Sequence, residues 1–191
     1  MTLSIGLQLA SLLKKKGYTV CLTRSTDVLL ELNARTHLAN NFLAKNSGDA
    51  IFVSIHANSS RNNSVVGIET FCMQNSLFVQ GDFFCQGANI SQYVNYISMY
   101  LKNKDKKSRV LASNLHKNMY SFIKSVYPEV RDRKLKHSVS QVLIGAHMPA
   151  VLVEVGFLSN KDEAQFLESK KNHGCIAKGI CKGIIEYFKR A

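Results

Sequence analysis

Two short apolar runs of the sequence each contain one side chain that could do chemistry. Residues 51–58 (IFVSIHAN) are strongly apolar until the run reaches His56, and residues 150–155 (AVLVEV) carry Glu154 between two valines. An imidazole at the end of a rigid strand suits a metal ion, and an acid inside a buried strand is costly unless a charge, a hydrogen-bond network or a metal compensates it. This combination is typical of metal-assisted hydrolysis, in which a metal activates water and a carboxylate moves protons.

Each of these side chains also has an ordinary structural explanation. His56 could be a histidine that simply meets water at a strand end, and Glu154 could be a structural carboxylate paired with Arg35. Glu69, in the segment GIET, could orient a ligand in the same pocket or face solvent at a sheet edge. The residues alone leave these alternatives open.

The spacing of apolar residues predicts the elements that must position these groups. Helices are expected over 3–16, 31–45, about 86–102, 110–126, 160–168 and 175–189, and strands over 18–23, 50–55, 65–73, 139–145 and 150–155. The alternation implies an α/β fold with three layers, in which a mainly parallel, twisted sheet is flanked by helices. Ligands of such sheets bind at the carboxyl ends of the strands, which is where His56 is predicted to lie.

Composition limits the partners that the protein can have. The 191 residues favour one domain, and the apolar share of 46% and charged share of 20% are ordinary for a globular chain. The net charge of +12, from 25 basic and 13 acidic residues, suits a polyanion such as nucleic acid, an anionic lipid surface or an acidic cell-wall polymer. No nucleic-acid motif accompanies it, and the basic runs at 14–16, 102–107 and 131–136 are interpreted mostly as solvated helix faces, so no nucleic-acid partner is predicted.

The five cysteines do not point to a metal or redox motif. Their number is odd and no pair has CxxC spacing, which disfavours a zinc finger or a thioredoxin-type site. Cys21 lies in the apolar pattern of the strand predicted over 18–23 and is interpreted as core filler.

Several longer segments resemble one family and keep its order along the chain. They are LTRSTD (22–27), LNARTHLAN (32–40), IFVSIHAN (51–58), GIETF (67–71) and VLIGAHMPAVLVEVGFLSNKDEAQFL (142–167). Together they resemble the zinc-dependent N-acetylmuramoyl-L-alanine amidases of the amidase-3 type, which include the bacterial cell-separation amidases. The resemblance covers most of residues 3–60 and 142–190 and is thin across 74–135.

The resemblance implies an activity and roles for the two side chains. It implies hydrolysis of the amide between N-acetylmuramic acid and L-alanine in peptidoglycan, with a zinc-bound water as nucleophile, His56 as a Zn²⁺ ligand and Glu154 as the catalytic acid. The expected partners are peptidoglycan or its muropeptide fragments. A protein activator and peripheral contact with a membrane are compatible with the resemblance. The expected location is the periplasm or cell envelope, although residues 1–191 show no signal peptide.

The sequence departs from the family pattern at its start. The family places a second zinc-binding histidine in a Gly-His-Gly-Gly loop after its first strand and a glutamate shortly downstream, and neither occurs here. We therefore expect residues 1–191 to be one amidase-3-type catalytic domain that lacks the N-terminal strand and zinc-binding loop, with Met1 an internal methionine of a longer protein. Two alternatives are a truncated or degenerate copy, and a site completed by other residues, for which the candidates are His37, His116, His137, His147 and Glu69.

A second function of a different class follows from the same departure. If residues 1–191 are the whole protein, the alternative is a catalytically inactive homologue that binds the cell wall or regulates a partner, because a catalytic zinc normally needs three protein ligands.

Overall fold

The computed structural model describes residues 1–73 and 88–189, and this part of the chain contains six helices and four strands. The helices are α1 (Thr2–Lys14), α2 (Leu32–Lys45), α3 (Ala88–Lys124), α4 (Gln141–Gly145), α5 (Lys161–Glu168) and α6 (Lys170–Phe188). The strands are β1 (Phe52–Asn58), β2 (Ile68–Cys72), β3 (Asp132–His137) and β4 (Ala150–Phe157).

The four strands form one sheet in the order β1-β4-β2-β3. β1 runs parallel to β4, β2 runs parallel to β3, and the central pair of β4 and β2 is antiparallel. The long helix α3 joins β2 to β3, as a parallel pair requires a crossover connection. The predicted α/β class with a mainly parallel sheet flanked by helices is therefore confirmed, with one reversal at the centre.

The two faces of the sheet are covered by different helices because side chains alternate along each strand. On one face, Ile68, Val151 and Val153 are buried with residues of α1, α3 and α6. On the other face, Phe52 and Leu152 are buried with residues of α2 and α4. The sheet is thus the middle layer, and each face has its own apolar core.

Strand ends are held together by a buried carboxylate at the start of α5. The side chain of Asn160 accepts hydrogen bonds from the backbone N–H groups of Asp162 and Glu163, which confirms the predicted helix cap. The carboxylate of Glu163 in turn accepts the N–H groups of Gly67 and Phe157, each at 2.7 Å. This clamp fixes the start of β2 against the end of β4.

Two predicted strands are wrong. Residues 18–23 form no strand, and Cys21 is exposed rather than core filler, because no described strand lies beside this segment to pair with it. Residues 141–145 form the short helix α4 instead of a strand, with the N–H groups of Leu143 and Ile144 bonded to the carbonyl of Ser140. A short apolar run does not by its periodicity distinguish a strand from a buried helical turn.

Two further elements differ from the prediction. The helices expected over about 86–102 and 110–126 are one continuous helix, α3, although the start of the first falls on residues outside the described part of the chain. The strand β3 was not predicted, because its sequence DRKLKH is mostly charged and the run 131–136 was interpreted as a solvated helix face. The long α3 forms because the lysine-rich stretch at its middle contains no glycine or proline to end it.

Close approach of α6 to α3 depends on a glycine. A β-carbon added at Gly183 would lie 2.7 Å from the carbonyl oxygen of Asn114 and from the α-carbon of Leu115. Replacement by alanine is therefore expected to push the helices apart and to lower the free energy of unfolding by ~1–3 kcal/mol, even though alanine favours helix. Urea denaturation followed by circular dichroism measures the change.

Gly6 in α1 is the matched control, because an added β-carbon there meets no atom within 4 Å. Gly6→Ala is expected to leave stability unchanged or to raise it by up to ~1 kcal/mol through helix propensity. Equal effects of Gly183→Ala and Gly6→Ala would contradict the packing explanation.

Candidate active site

Three titratable side chains lie in one row across three neighbouring strands. His56 of β1 is in register with Glu154 of β4, and Glu154 is in register with Glu69 of β2. Residues paired across adjacent strands project from the same face of a sheet, so the imidazole and the two carboxyl groups share one face. His56 lies inside β1, which continues to Asn58, rather than at the strand end that the sequence predicted.

The row lies on the sheet face that α2 and α4 cover. Along β1 and β4 the same face carries Phe52 and Leu152, which are buried against these helices. His56 and Glu154 follow four and two residues later, where the apolar cover gives way to Arg35 of α2. The apolar part of the face thus holds the strands in register, and the polar part beyond it is the candidate site.

His56 is in an environment that favours the neutral imidazole. Burial lowers its pKa, and the positive charge of Arg35 lowers that pKa further. Nε2 lies 2.9 Å from the hydroxyl oxygen of Ser54, whereas Nδ1 makes no hydrogen bond to a described residue. A neutral ring with a nitrogen not bonded to protein is the form in which histidine binds metals.

Glu154 has the opposite tendency, toward the protonated acid. Burial raises its pKa to about 7, and the adjacent charge of Glu69 contributes to the rise. Its Oε2 atom is buried and has no hydrogen-bond partner among the described residues. The guanidinium of Arg35 does not bond to this Oε2 atom, and its Nε donates to the carbonyl of Leu30.

Glu69 is held as a carboxylate by two cations of β3. It is only 3% exposed, and its Oε1 accepts hydrogen bonds from Arg133 and from Lys136, the latter at 2.7 Å. Burial acts to raise its pKa, but the bonds to Arg133 and Lys136 more than offset that effect and the pKa lies below its usual range. Glu69 is therefore buried in the row, and the solvent-exposed alternative for this residue is wrong.

Arg133 reaches Glu69 because β3 is irregular opposite it. The pairing of β2 and β3 shifts register between Ile68 and Thr70, and Lys134 adopts a φ of 68° in this bulge. Asp132 stabilises the bulge, because its Oδ1 accepts the backbone N–H of Lys134 at 2.9 Å. Bulges commonly redirect a side chain in this way, and here the bulge directs Arg133 to the site.

The carboxyl groups of Glu69 and Glu154 prefer different protonation states in this arrangement. Glu69 is fixed as an anion, whereas its neighbour Glu154 has a pKa raised to about 7. Neighbouring acids with pKa values moved in opposite directions are characteristic of acid–base sites, in which one group exchanges protons and the other sets its field. Glu154 is the group suited to proton transfer.

Other histidines named as candidate ligands lie elsewhere or are engaged. His116 of α3 is on the opposite face, where its ring bonds to Thr70 at 2.9 Å and to Asp132 at 2.8 Å. His37 and His147 are exposed, and His137 ends the outer strand β3. Among these candidates only Glu69 lies in the row, and its charge is already paired.

The described residues do not fit a complete catalytic zinc site. Such sites use three protein ligands and an open position for water. His56 offers one imidazole and Glu154 one unpartnered carboxyl oxygen, and within residues 1–73 and 88–189 no group of three or more His, Cys, Asp or Glu side chains could hold a metal ion. The row therefore supplies at most part of a metal site.

The sequence could not have identified Arg133 and Lys136 as parts of the site. They belong to a basic segment, RDRKLKH, whose composition resembles solvated surface. The only usable signal was the need of a buried acid such as Glu69 for a positive partner, which does not say where along the chain that partner lies.

Comparisons with known proteins agree with this fold. The family model "Amidase_3: N-acetylmuramoyl-L-alanine amidase" matches residues 1–186. N-acetylmuramoyl-L-alanine amidase AmiA of Escherichia coli is 27% identical over 204 residues, which cover 98% of this chain and 67% of AmiA.

Solved structures of amidases are similar to this one over nearly the whole chain. The catalytic domain of the amidase CwlV from Bacillus (Paenibacillus) polymyxa has a TM-score of 0.73 and 30% identity, with 98% of this chain and 82% of that one covered. The CwlD amidase of Clostridioides difficile, solved with the GerS lipoprotein, shares the fold with a TM-score of 0.70 and 23% identity, with 99% of this chain and 85% of that one covered. Since the family model spans nearly all residues, the chain belongs to the Amidase_3 family of N-acetylmuramoyl-L-alanine amidases.

Proposed function

We propose that this protein hydrolyses the amide between the lactyl group of N-acetylmuramic acid and L-alanine in peptidoglycan. The observation that carries the proposal is the register that sets Glu154, with its pKa raised to about 7, beside His56 on one face of the sheet. Family membership supplies the substrate class, since the family is named for this amide hydrolysis.

Glu154 is the catalytic residue in this proposal. Amide hydrolysis joins a water oxygen to the carbonyl carbon and breaks the C–N bond, and the departing amine needs a proton. A carboxyl group that titrates near neutrality can accept the proton from water and deliver it to the amine. The fixed negative charge of Glu69 favours the protonated form of Glu154, and thus its uptake of the proton from water. Hydrogen bonds from Arg133 and Lys136 hold Glu69 in place.

We propose His56 as a ligand of Zn²⁺, the cofactor that the family resemblance implies. When bound, zinc would polarise the carbonyl and lower the pKa of water. Because the described residues do not complete a zinc site, the further zinc ligands of the resembled family stay a prediction. The assignment of His56 rests on its neutral ring and its place beside Glu154.

The proposed partners and location follow from the family and from charge. Peptidoglycan or its muropeptide fragments are the proposed substrate, and the cell envelope or periplasm the proposed location. The relative CwlD was solved with a lipoprotein, which supports a protein activator as a further proposal. The net charge of +12 is compatible with peripheral contact to an anionic membrane, and no helix in the described part of the chain has the length and apolarity to cross one.

A second candidate function is an inactive homologue that binds the cell wall or regulates a partner. The observation that favours it is the incomplete set of metal ligands in the described residues. Incubation of the protein with purified muropeptides and ZnCl₂, followed by mass spectrometry, separates the two functions. Release of stem peptide with a free L-alanine amino group supports the amidase, and retention on sacculi without release supports the alternative.

Glu154→Gln is expected to lower the rate of stem-peptide release by a factor of ~10² or more, because a carboxamide neither accepts nor donates a proton as an acid–base group near neutral pH. The same muropeptide assay measures the loss. The fold is expected to persist, because glutamine keeps the volume of the side chain.

Glu168→Gln is the control for that variant, since it makes the same chemical change at an exposed acid of α5. Its release rate should equal that of the unmodified protein. A Glu154→Gln variant with near-normal release would refute the role of Glu154.

His56→Ala is expected to weaken Zn²⁺ binding at least about tenfold, because it removes an imidazole ligand. Titration of the protein with Zn²⁺ in competition with a chromophoric chelator measures the affinity.

His37→Ala removes an exposed imidazole of α2 and controls for unspecific binding of zinc by surface histidines. If both variants bind zinc as the unmodified chain does, His56 is not a ligand.

A further inference from the structure

The helices behind the sheet carry lysines on their outer surface. This layer covers the face opposite His56 and Glu154, and within it α6 packs against both α1 and α3. Every exposed residue of α6 is a lysine, and so is the exposed residue that caps its C-terminus. They are Lys170, Lys171, Lys178, Lys182 and Lys189. The solvent side of the middle helix of this layer is therefore positively charged along its whole length.

The neighbouring helices extend this charge into a surface that we call the lysine plane. It comprises the five lysines of α6 and its cap, the exposed lysines at 14–16 that end α1, and the exposed Lys117 and Lys124 of α3. The only acid in α1, in residues 110–124 of α3 and in α6 is Glu186, which accepts a hydrogen bond from Asn118 at 2.9 Å. These ten lysines and one acid account for nine of the twelve net positive charges of the chain.

The lysines of the plane repel one another. Lys171, Lys178, Lys182 and Lys189 are seven, four and seven residues apart, so they project from one side of α6. Like charges one helical turn apart disfavour each other. The salt bridges between described residues involve none of the ten lysines. An anionic surface laid against the plane would relieve this repulsion.

We propose that the lysine plane docks this protein on an anionic lipid bilayer, with the active-site face turned away from the membrane. Each lysine near such a surface adds to the attraction, so a plane of ten is enough for peripheral binding. The inference rests on the peripheral membrane contact of the proposed function and names the surface that makes it. In this orientation His56 and Glu154 face the space beyond the bilayer, because they lie on the opposite side of the sheet.

Apolar side chains stand among the lysines on the two flanking helices. Leu7 of α1 is 40% exposed and lies seven residues before Lys14, and Val110 of α3 is 42% exposed and lies seven residues before Lys117. A spacing of seven places each pair on the same side of its helix. Exposed apolar groups beside lysines suit the boundary between headgroups and acyl chains.

The composition of the plane favours lipid over nucleic acid. Its ten cations are all lysines, and the exposed residues of α1, of 110–124 in α3 and of α6 include no arginine, aromatic or amide side chain. Proteins that bind nucleic acids use arginine for its planar, bidentate fork, aromatic rings for stacking on bases, and amides for reading base edges. Lysines alone provide attraction to phosphate without such recognition.

The test is co-sedimentation of the 191-residue protein with lipid vesicles at about 0.15 M NaCl. Vesicles of phosphatidylcholine with about one third phosphatidylglycerol should bind it at least about tenfold more tightly than vesicles of phosphatidylcholine alone. Lysine acetylation followed by mass spectrometry locates the contact. With anionic vesicles present, acetylation of Lys178 and Lys182 should slow several-fold, whereas that of the exposed Lys45 of α2 should not change.

The double variant Lys178→Glu/Lys182→Glu tests the plane from the side of the protein. It should lose affinity for anionic vesicles by about tenfold or more, because it reverses two charges at the centre of the plane. The matched control is Lys45→Glu/Arg61→Glu, which makes the same change in net charge at exposed positions outside the plane. Its loss should be about twofold at most, because these charges lie farther from the bilayer than salt allows them to act.

Three results would overturn the proposal. Absence of binding to anionic vesicles, or equal loss in the two double variants, would show that the lysine plane is not a docking surface. Tighter binding to duplex DNA than to vesicles at equal phosphate concentration would assign it to nucleic acid. Equally tight binding to soluble polyglycerol phosphate would assign it to an acidic wall polymer. Because no measurement here uses peptidoglycan, failure of this proposal and failure of the proposed amidase activity are distinguishable.

Discussion

The register between β1, β4 and β2 is the constraint on which the site depends. It sets His56, Glu154 and Glu69 side by side on three strands, although these residues lie up to 98 positions apart in sequence. A slip of one residue in either pairing would turn one of the side chains to the opposite face. The apolar residues of the same strands therefore position the site as much as the polar ones, since Phe52 and Leu152 fix the register by packing under α2 and α4.

The carboxyl groups of Glu69 and Glu154 differ in protonation state because of this register and because of the cations on β3. Two buried acids in register cannot both be ionised at low cost, so the one with cations beside it keeps the charge. Arg133 and Lys136 stabilise the ionised form of Glu69. Among the described residues, Glu154 keeps an unpartnered oxygen, and its pKa is near neutrality. The bulge that directs Arg133 inward depends on Asp132, whose carboxylate also contacts the ring of His116 on the far face of the sheet. The core behind the sheet thus supports the site in front of it.

Much of this protein is determined by its sequence. Periodic apolar residues located α1, α2 and α6, the runs at 51–58 and 150–155 located β1 and β4, and Asn160 marked the start of α5, because these signals are local. His56 and Glu154 were identifiable as chemical groups because each interrupts an apolar run, and the surrounding motifs identified the family. Tertiary structure alone decided which of the ambiguous segments became strands. Residues 18–23 have the apolar pattern of a strand but no described strand beside them to pair with, whereas the charged segment β3 pairs with β2. It also decided that Arg133 and Lys136 reach Glu69, since long-range pairing of charges depends on sheet order and a bulge, which no local pattern encodes.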